Sequence, residues 1–165
     1  MTRQPALLEN SLNVVSAGAL DTISPAMARA DNTFVARSLL DLGRALEAAA
    51  ARPRTGPLAI DLVGHSTRDH QLLRLGSTTI DALDLGVLRW FEAVADSGIL
   101  RELGAACLRL LGCATAMTPS GRRTIRLLAA VLGIPVYGTR KRISRMHHTD
   151  RGFNPQFHHV LVSSS

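Results

Sequence analysis

The apolar residues of this chain fall into two alternating kinds of segment: short continuous runs and longer stretches with helical spacing. The short runs predict strands at Leu12–Val15, Leu58–Val63, Cys107–Leu111, Pro135–Gly138 and, at an edge, Val160–Val162. Apolar steps of three and four residues predict helices over Asn32–Arg52, over Leu83–Ala95 and from a cap at Thr118 or Ser120 to Gly133. This alternation is typical of an α/β domain, and we expect a mostly parallel sheet flanked by helices on both faces.

Length and composition favour one globular domain spanning residues 1–165. The chain has 165 residues, of which 46% are hydrophobic and 19% charged, and this balance excludes a mostly disordered protein. No apolar run approaches the roughly 18 residues that cross a bilayer, and the first residues lack the apolar stretch of a secretory signal. We therefore expect a cytoplasmic protein with no membrane association.

Basic side chains are concentrated in the last third of the chain. Residues 1–100 carry 9 basic and 11 acidic side chains, whereas residues 101–165 carry 10 basic and 2 acidic ones. A basic face can bind nucleic acid or an acidic polypeptide. Aromatic residues make up only 4% of the chain, so the stacking platforms that nucleic-acid binding uses are scarce. The pattern favours a solvated arginine-rich surface or a protein partner over nucleic acid.

Two of the predicted strands end in a reactive side chain. Leu58–Val63 leads to Gly64, His65 and Ser66, and Cys107–Leu111 leads to Gly112 and Cys113. If both strands run parallel in one sheet, His65 and Cys113 emerge at the same carboxyl edge, where open α/β sheets bind ligands. The intervening residues include a helix long enough for the crossover that parallel strands require. The pattern thus predicts an imidazole beside a thiol.

The two cysteines are predicted to be free thiols with different roles. Cys107 and Cys113 lie in one strand-like segment, where six residues span about 20 Å, too far for a disulfide. A cysteine becomes a useful thiolate beside a base, a positive group or a helix N-terminus. For Cys113 we expect the helix after Thr118 to direct its N–H groups toward the sulfur. Cys107, at an even offset on the same strand, is expected in the core.

These residues resemble the caspase-like cysteine peptidases, the broad group of caspases, gingipains, separases and bacterial CHAT domains. The group's signature is an apolar strand ending in His-Gly and a second apolar strand ending in a small residue and the catalytic cysteine. In particular, the chain resembles an uncharacterised caspase-like domain of large bacterial surface proteins, in which a leucine-glycine hairpin follows the histidine strand, as at Leu75-Gly76. The later glycine-cysteine step, helix and strand match GCATAMTPSGRRTIRLLAAVLGIPVYGT. The resemblance covers residues 58–139.

The resemblance implies hydrolysis of peptide bonds in a polypeptide substrate. Cys113 would be the nucleophile and His65 the general base and acid, with no cofactor. The backbone N–H groups of Ser66 and Cys113 would bind the oxyanion. Ser66 departs from the family, which usually has glycine there, where it lets the substrate approach the backbone closely. Because the family recognises side chains partly through the strand after the cysteine, Tyr137–Arg142 is the expected pocket segment.

Two charged residues interrupt the apolar strands at matching positions, independently of any family. Asp61 lies four residues before His65, and Arg109 lies four residues before Cys113. If the strands are neighbours with level ends, the two charged side chains lie at the same height on one face. A lone buried charge is costly and pairing reduces that cost, so we predict a cross-strand ion pair.

Other interpretations of the sequence are less well supported. The pairs His147-His148 and His158-His159 suggest a metal site, but adjacent histidines in a strand point to opposite faces, and no ligand framework accompanies them. The sequence GHSTR resembles the nucleophile elbow of serine hydrolases, but Arg68 replaces its last glycine. No P-loop or dinucleotide fingerprint occurs. The main alternative is a catalytically degenerate module that binds an acidic protein partner through the basic C-terminal surface.

Overall fold

A six-stranded sheet forms the centre of the protein in the computed structural model, which describes residues 4–164. In chain order the strands are β1 (Ser11–Ser16), β2 (Thr33–Ala36), β3 (Leu58–Val63), β4 (Arg74–Leu75), β5 (Thr78–Thr79), β6 (Ala105–Leu111), β7 (Val136–Thr139), β8 (His148–Thr149), β9 (Gly152–Phe153) and β10 (Leu161–Ser163). The sheet order is β10-β7-β6-β3-β1-β2, and only β10 runs antiparallel to its neighbour. The predicted mostly parallel α/β sheet is confirmed. Two small hairpins, β4–β5 and β8–β9, lie outside it.

Five α-helices accompany the sheet in the described part of the chain. They are α1 (Pro25–Ala28), α2 (Leu39–Ala50), α3 (Leu85–Ser97), α4 (Ile99–Leu103) and α5 (Pro119–Leu132). The helix predicted over Asn32–Arg52 is wrong in its first part, because residues 33–36 form strand β2 and the helix starts only after Ser38. The aromatic and β-branched residues Thr33, Phe34 and Val35 favour an extended backbone that pairs with β1. None of the described helices is both long and apolar enough to cross a membrane.

The two faces of the sheet are covered differently. Leu62 and Leu110 belong to a buried apolar cluster that includes side chains of α2, α3, α4 and α5, so the long helices share one face. Val63 and Leu111 belong to a second cluster, formed with the one-turn helix α1, the β8–β9 hairpin and the C-terminal segment. The expectation of helices on both faces is therefore met only by the short α1 on the second face.

The second face has a polar centre. Asp61 of β3 lies directly opposite Arg109 of β6, and the guanidinium binds both carboxylate oxygens, at 2.6 and 2.7 Å. Both side chains are fully buried, so the predicted cross-strand ion pair is confirmed. Burial opposes the charge of Arg109, but Asp61 outweighs this effect and raises the pKa of Arg109. Arg109 also donates to the carbonyl oxygens of Ala6 and Leu8, which ties the N-terminal segment to the sheet.

Candidate active site

The ends of β3 and β6 lie side by side and level. The strands are parallel neighbours, paired as far as Val63 opposite Leu111, and His65 and Cys113 each follow two residues later. The Ser66 hydroxyl donates a 2.8 Å hydrogen bond to the carbonyl oxygen of Cys113 and so links the two ends. This close approach requires Gly112, because a Cβ there would lie 2.7 Å from the Ser66 Oγ.

The peptide group that follows Cys113 is held at both of its polar atoms. Its carbonyl oxygen accepts the Ser66 bond, and its N–H, on Ala114, donates to the carbonyl oxygen of Lys141 at 2.9 Å. Ala114 has a φ of 54°, in the left-handed region that a residue with a Cβ rarely adopts. Such a conformation persists only where its surroundings enforce it. The backbone beside the Cys113 thiol is therefore fixed in one orientation.

The Cys113 thiol and the His65 imidazole have different partners in the resting structure. The partly exposed thiol donates to the carbonyl oxygen of Ile143 at 3.7 Å. The His65 Nε2 lies 3.4 Å from an Asp21 carboxylate oxygen, and the His65 side chain is 52% exposed. Within residues 4–164, no hydrogen bond joins the thiol to the imidazole. Catalytic hydrogen bonds are often formed only once substrate is bound.

The two backbone N–H groups expected to bind an oxyanion are available at this edge. Ser66 is bridged to Leu73, with the flanking bonds running from Thr67 to Leu72 and from Arg74 to His65. In this arrangement Ser66 and Leu73 are a non-hydrogen-bonded pair, so the N–H of Ser66 points away from Leu73. Neither this N–H nor that of Cys113 donates to an acceptor in the described residues. Their role in binding an oxyanion stays a prediction.

Of the two predicted caps for the helix after Cys113, Thr118 is the one that caps it. Its hydroxyl accepts the N–H of Gly121 at 3.0 Å and donates to the carbonyl oxygen of His70 at 2.6 Å. The α5 start is thereby tied to the loop that follows the histidine strand. Residues 114–118 separate Cys113 from α5, and the effect of this helix on the thiol stays a prediction.

Cys107 is a core residue, as predicted. It is fully buried, and its thiol donates to the carbonyl oxygen of Pro5 at 3.5 Å. Burial raises the pKa of the Cys107 thiol to about 12, although the nearby Arg109 opposes the change. Both cysteines are free, and the chemistry available to Cys113 is absent at Cys107.

Sequence reasoning missed two features of this site. Asp21 lies in a 3₁₀ helix that follows β1, the parallel neighbour of β3, and so reaches the same sheet edge. The sequence signal for Asp21 was that it follows the end of strand β1. The sequence predicts this strand only weakly, so the position of Asp21 did not stand out. The second feature is residues 140–147, here called the strap, whose backbone carbonyls contact Cys113 and Ala114. Only its first part was expected near the site, as Tyr137–Arg142.

The other sequence interpretations are addressed by the same geometry. The Ser66 hydroxyl donates to a backbone carbonyl and not to a base, which is not the arrangement of an activated serine nucleophile. Within residues 4–164, no group of three or more His, Cys, Asp or Glu side chains has the geometry of a metal site. A scan of protein-family models and a search of curated proteins found no match to this chain.

Proposed function

We propose that this chain is a caspase-like cysteine endopeptidase that uses Cys113 and His65 as a catalytic dyad. The observation that carries the proposal is the pair of parallel strands that end level, with a thiol at one end, an imidazole at the other, and a Ser66 to Cys113 hydrogen bond between them. Ligands of open α/β sheets bind at this edge. The pattern of histidine strand, hairpin, Gly-Cys step, helix and strand supports the caspase-like assignment.

The proposed reaction proceeds through a thioester. The Cys113 thiol leaves the Ile143 carbonyl and transfers its proton to His65, and the sulfur attacks the carbonyl carbon of the substrate peptide bond. The substrate oxygen becomes an oxyanion bound by the N–H groups of Ser66 and Cys113. His65 protonates the leaving amine as the C–N bond breaks. Water then attacks the thioester while His65 accepts its proton, the C–S bond breaks to release the carboxylic acid, and His65 returns the proton to the sulfur to restore the thiol.

Asp21 has a supporting role in this proposal. An imidazolium forms on His65 during both halves of the reaction, and a carboxylate 3.4 Å from Nε2 stabilises that charge. The Asp21 side chain is 75% exposed, so water screens the interaction and its contribution is modest. Ser66 replaces the family's glycine, and its hydroxyl binds the carbonyl oxygen that follows the nucleophile. The substituted residue is thus hydrogen-bonded to the backbone of the proposed nucleophile.

The test is cleavage of a peptide library by the wild type and three variants. We expect Cys113→Ala to abolish cleavage and His65→Ala to slow it by about 100-fold or more, because it removes the acid and base. Cys107→Ala is the matched control, since it removes a buried thiol from the same strand and is expected to keep activity. Cleavage that persists in Cys113→Ala would contradict the proposal.

A second candidate function is a non-catalytic module that binds an acidic protein partner. It is favoured by the exposed side chains of Arg140, Lys141, Arg142 and Arg145, none of which has a carboxylate within ion-pair distance in the described residues. Iodoacetamide separates the two functions. Selective labelling of Cys113 that slows in His65→Ala supports the peptidase, whereas equally slow labelling of both thiols, checked against denatured protein, supports the binding module.

A further inference from the structure

A histidine whose two ring nitrogens are buried without hydrogen-bond partners in the described residues lies in the β8–β9 hairpin, directly after the strap. His148 belongs to β8, and neither of its ring nitrogens is exposed or has a partner within residues 4–164. The ring packs edge-on against Phe153, its pairing partner in β9, at a centroid distance of 6.2 Å. A neutral imidazole that buries both nitrogens already loses its hydrogen bonds to water. The hairpin therefore holds a side chain that is better solvated outside.

Protonation of His148 is disfavoured in this position. Burial is the main influence and lowers the pKa of His148 to about 4. Asp61 opposes that change, whereas His147 and Arg109 add to it. Neither ring nitrogen of His148 makes a hydrogen bond to the Asp61 carboxylate, whose two oxygens accept from Arg109. The charged form is favoured when the hairpin moves away from the central sheet and water reaches the ring.

The hairpin and the strap share one buried apolar cluster. Phe153 of β9 and Ile143 of the strap pack there together with Val63 and Leu111, the last residues of β3 and β6. The Ile143 carbonyl oxygen accepts the Cys113 thiol hydrogen. Loss of Phe153 from this cluster removes part of the packing that seats Ile143, and the strap is continuous in sequence with β8.

We propose that the β8–β9 hairpin is an acid-released latch, in which protonation of His148 displaces the hairpin and withdraws the strap from Cys113. In the closed state the strap engages the thiol and fixes Ala114 through the Lys141 carbonyl. In the released state the thiol is exposed to solvent and to substrate. The proposal rests on the proposed function, because Cys113 is regulated here as the catalytic nucleophile.

The size of the effect follows from linkage between protonation and opening. In the released state His148 regains an ordinary pKa of about 6.5, against about 4 in the closed state. The ratio of released to closed protein then rises about twenty-fold between pH 7 and pH 5. When closing is faster than modification, the rate of modification at Cys113 follows this population.

The experiment measures modification of Cys113 by 4,4′-dithiodipyridine between pH 7 and pH 5. Each rate is divided by that of a small cysteine compound at the same pH, which removes the pH dependence of the thiol and of the reagent. Mass spectrometry assigns the modified peptide to Cys113 or to Cys107. We expect the normalised Cys113 rate of the wild type to rise about twenty-fold and that of His148→Phe to stay constant. His158→Phe removes an exposed histidine and is expected to behave as the wild type.

Three results would overturn the latch. One is a normalised wild-type rate that stays flat over this pH range, and another is a rate in His148→Phe that rises as steeply as in the wild type. The third is a parallel rise at Cys107, which would mean that the whole domain opens. His148→Met provides a second non-titrating variant should the phenylalanine variant not fold. Because the readout is thiol modification, it decides the latch even if the protein cleaves no peptide.

Discussion

Removal of one partner from the buried Asp61–Arg109 pair is expected to destabilise the protein strongly. Arg109→Met leaves the Asp61 carboxylate in the interior without a counter-charge, and it also leaves the carbonyl oxygens of Ala6 and Leu8 without their donor. Breaking a fully buried pair in this way costs about 3–5 kcal/mol. For a chain of this length, such a loss lowers the melting temperature by roughly 10 °C.

A double-mutant cycle measures how much of that loss belongs to the pair. Asp61→Leu, Arg109→Met and the double variant are unfolded in urea, and the free energies of unfolding are compared. The double variant contains no uncompensated charge, so its loss is expected to be at least about 2 kcal/mol smaller than the sum of the two single losses. Arg151→Met is the control, because the exposed Arg151–Asp31 pair contributes less than about 1 kcal/mol.

Two outcomes would refute this reasoning. If Arg109→Met costs no more than Arg151→Met, the guanidinium is not buried as described. If the two single losses simply add in the double variant, Asp61 and Arg109 do not interact. Either outcome would also remove the register on which the level ends of β3 and β6 depend.

Three further predictions concern individual residues. Gly76→Ala is expected to lower the free energy of unfolding by about 3 kcal/mol or more, because the new Cβ would lie 2.1 Å from a backbone atom and the residue has a φ of 59°. Gly133 has a similar φ of 69° but open space around it, so Gly133→Ala should cost only about 1 kcal/mol. Equal losses of the two variants in urea unfolding would contradict this prediction. At neutral pH, iodoacetamide should label the Cys107 thiol, whose pKa is about 12, at least about ten-fold more slowly than Cys113. Labelling of Cys107 as fast in the native as in the denatured protein, measured by mass spectrometry, would contradict its burial. The pKa of His148 is lower in the folded protein than in the unfolded chain, so the contribution of His148 to stability is complete above pH 6.5. About 3 kcal/mol of this contribution is lost as the pH falls toward 4. A pH-independent difference between the unfolding free energies of the wild type and His148→Phe would contradict this prediction.

The sheet and the ion pair could be predicted because the local sequence pattern behind each of them is compatible with only one structure. The residues of β3 and β6 are continuously apolar except for one charge in each strand, which fixes both their burial and their relative height. The prediction of a helix starting at Asn32 was wrong in its first part because Val35 has two compatible structures. Val35 lies at helical spacing from Leu39, but as a β-branched residue it also favours a strand. Pairing with β1, a tertiary interaction, decided between the two structures.

The strap and the burial of the His148 ring nitrogens could not be predicted, because they depend on contacts between segments that are distant in the sequence. Nothing in the local sequence indicates that the carbonyl oxygen of Ile143 faces a thiol 30 residues earlier. Likewise, the burial of His148 depends on where a two-residue strand settles on the sheet. The sequence disfavours a metal site at the histidine pairs but does not indicate their packing, in which His147 contacts Phe157 and His148 contacts Phe153.

The buried ion pair and the candidate dyad are linked through the period of a strand. Successive side chains point to opposite faces, so a slip of one residue between β3 and β6 would turn every side chain of one strand to the wrong face. Asp61 would then lie across from an apolar neighbour such as Leu108 or Leu110, which carries no charge to meet it. The energetic cost of that arrangement excludes it and keeps the strand ends level. The charges of Asp61 and Arg109, which are costly to bury, therefore also place His65 at the height of Cys113.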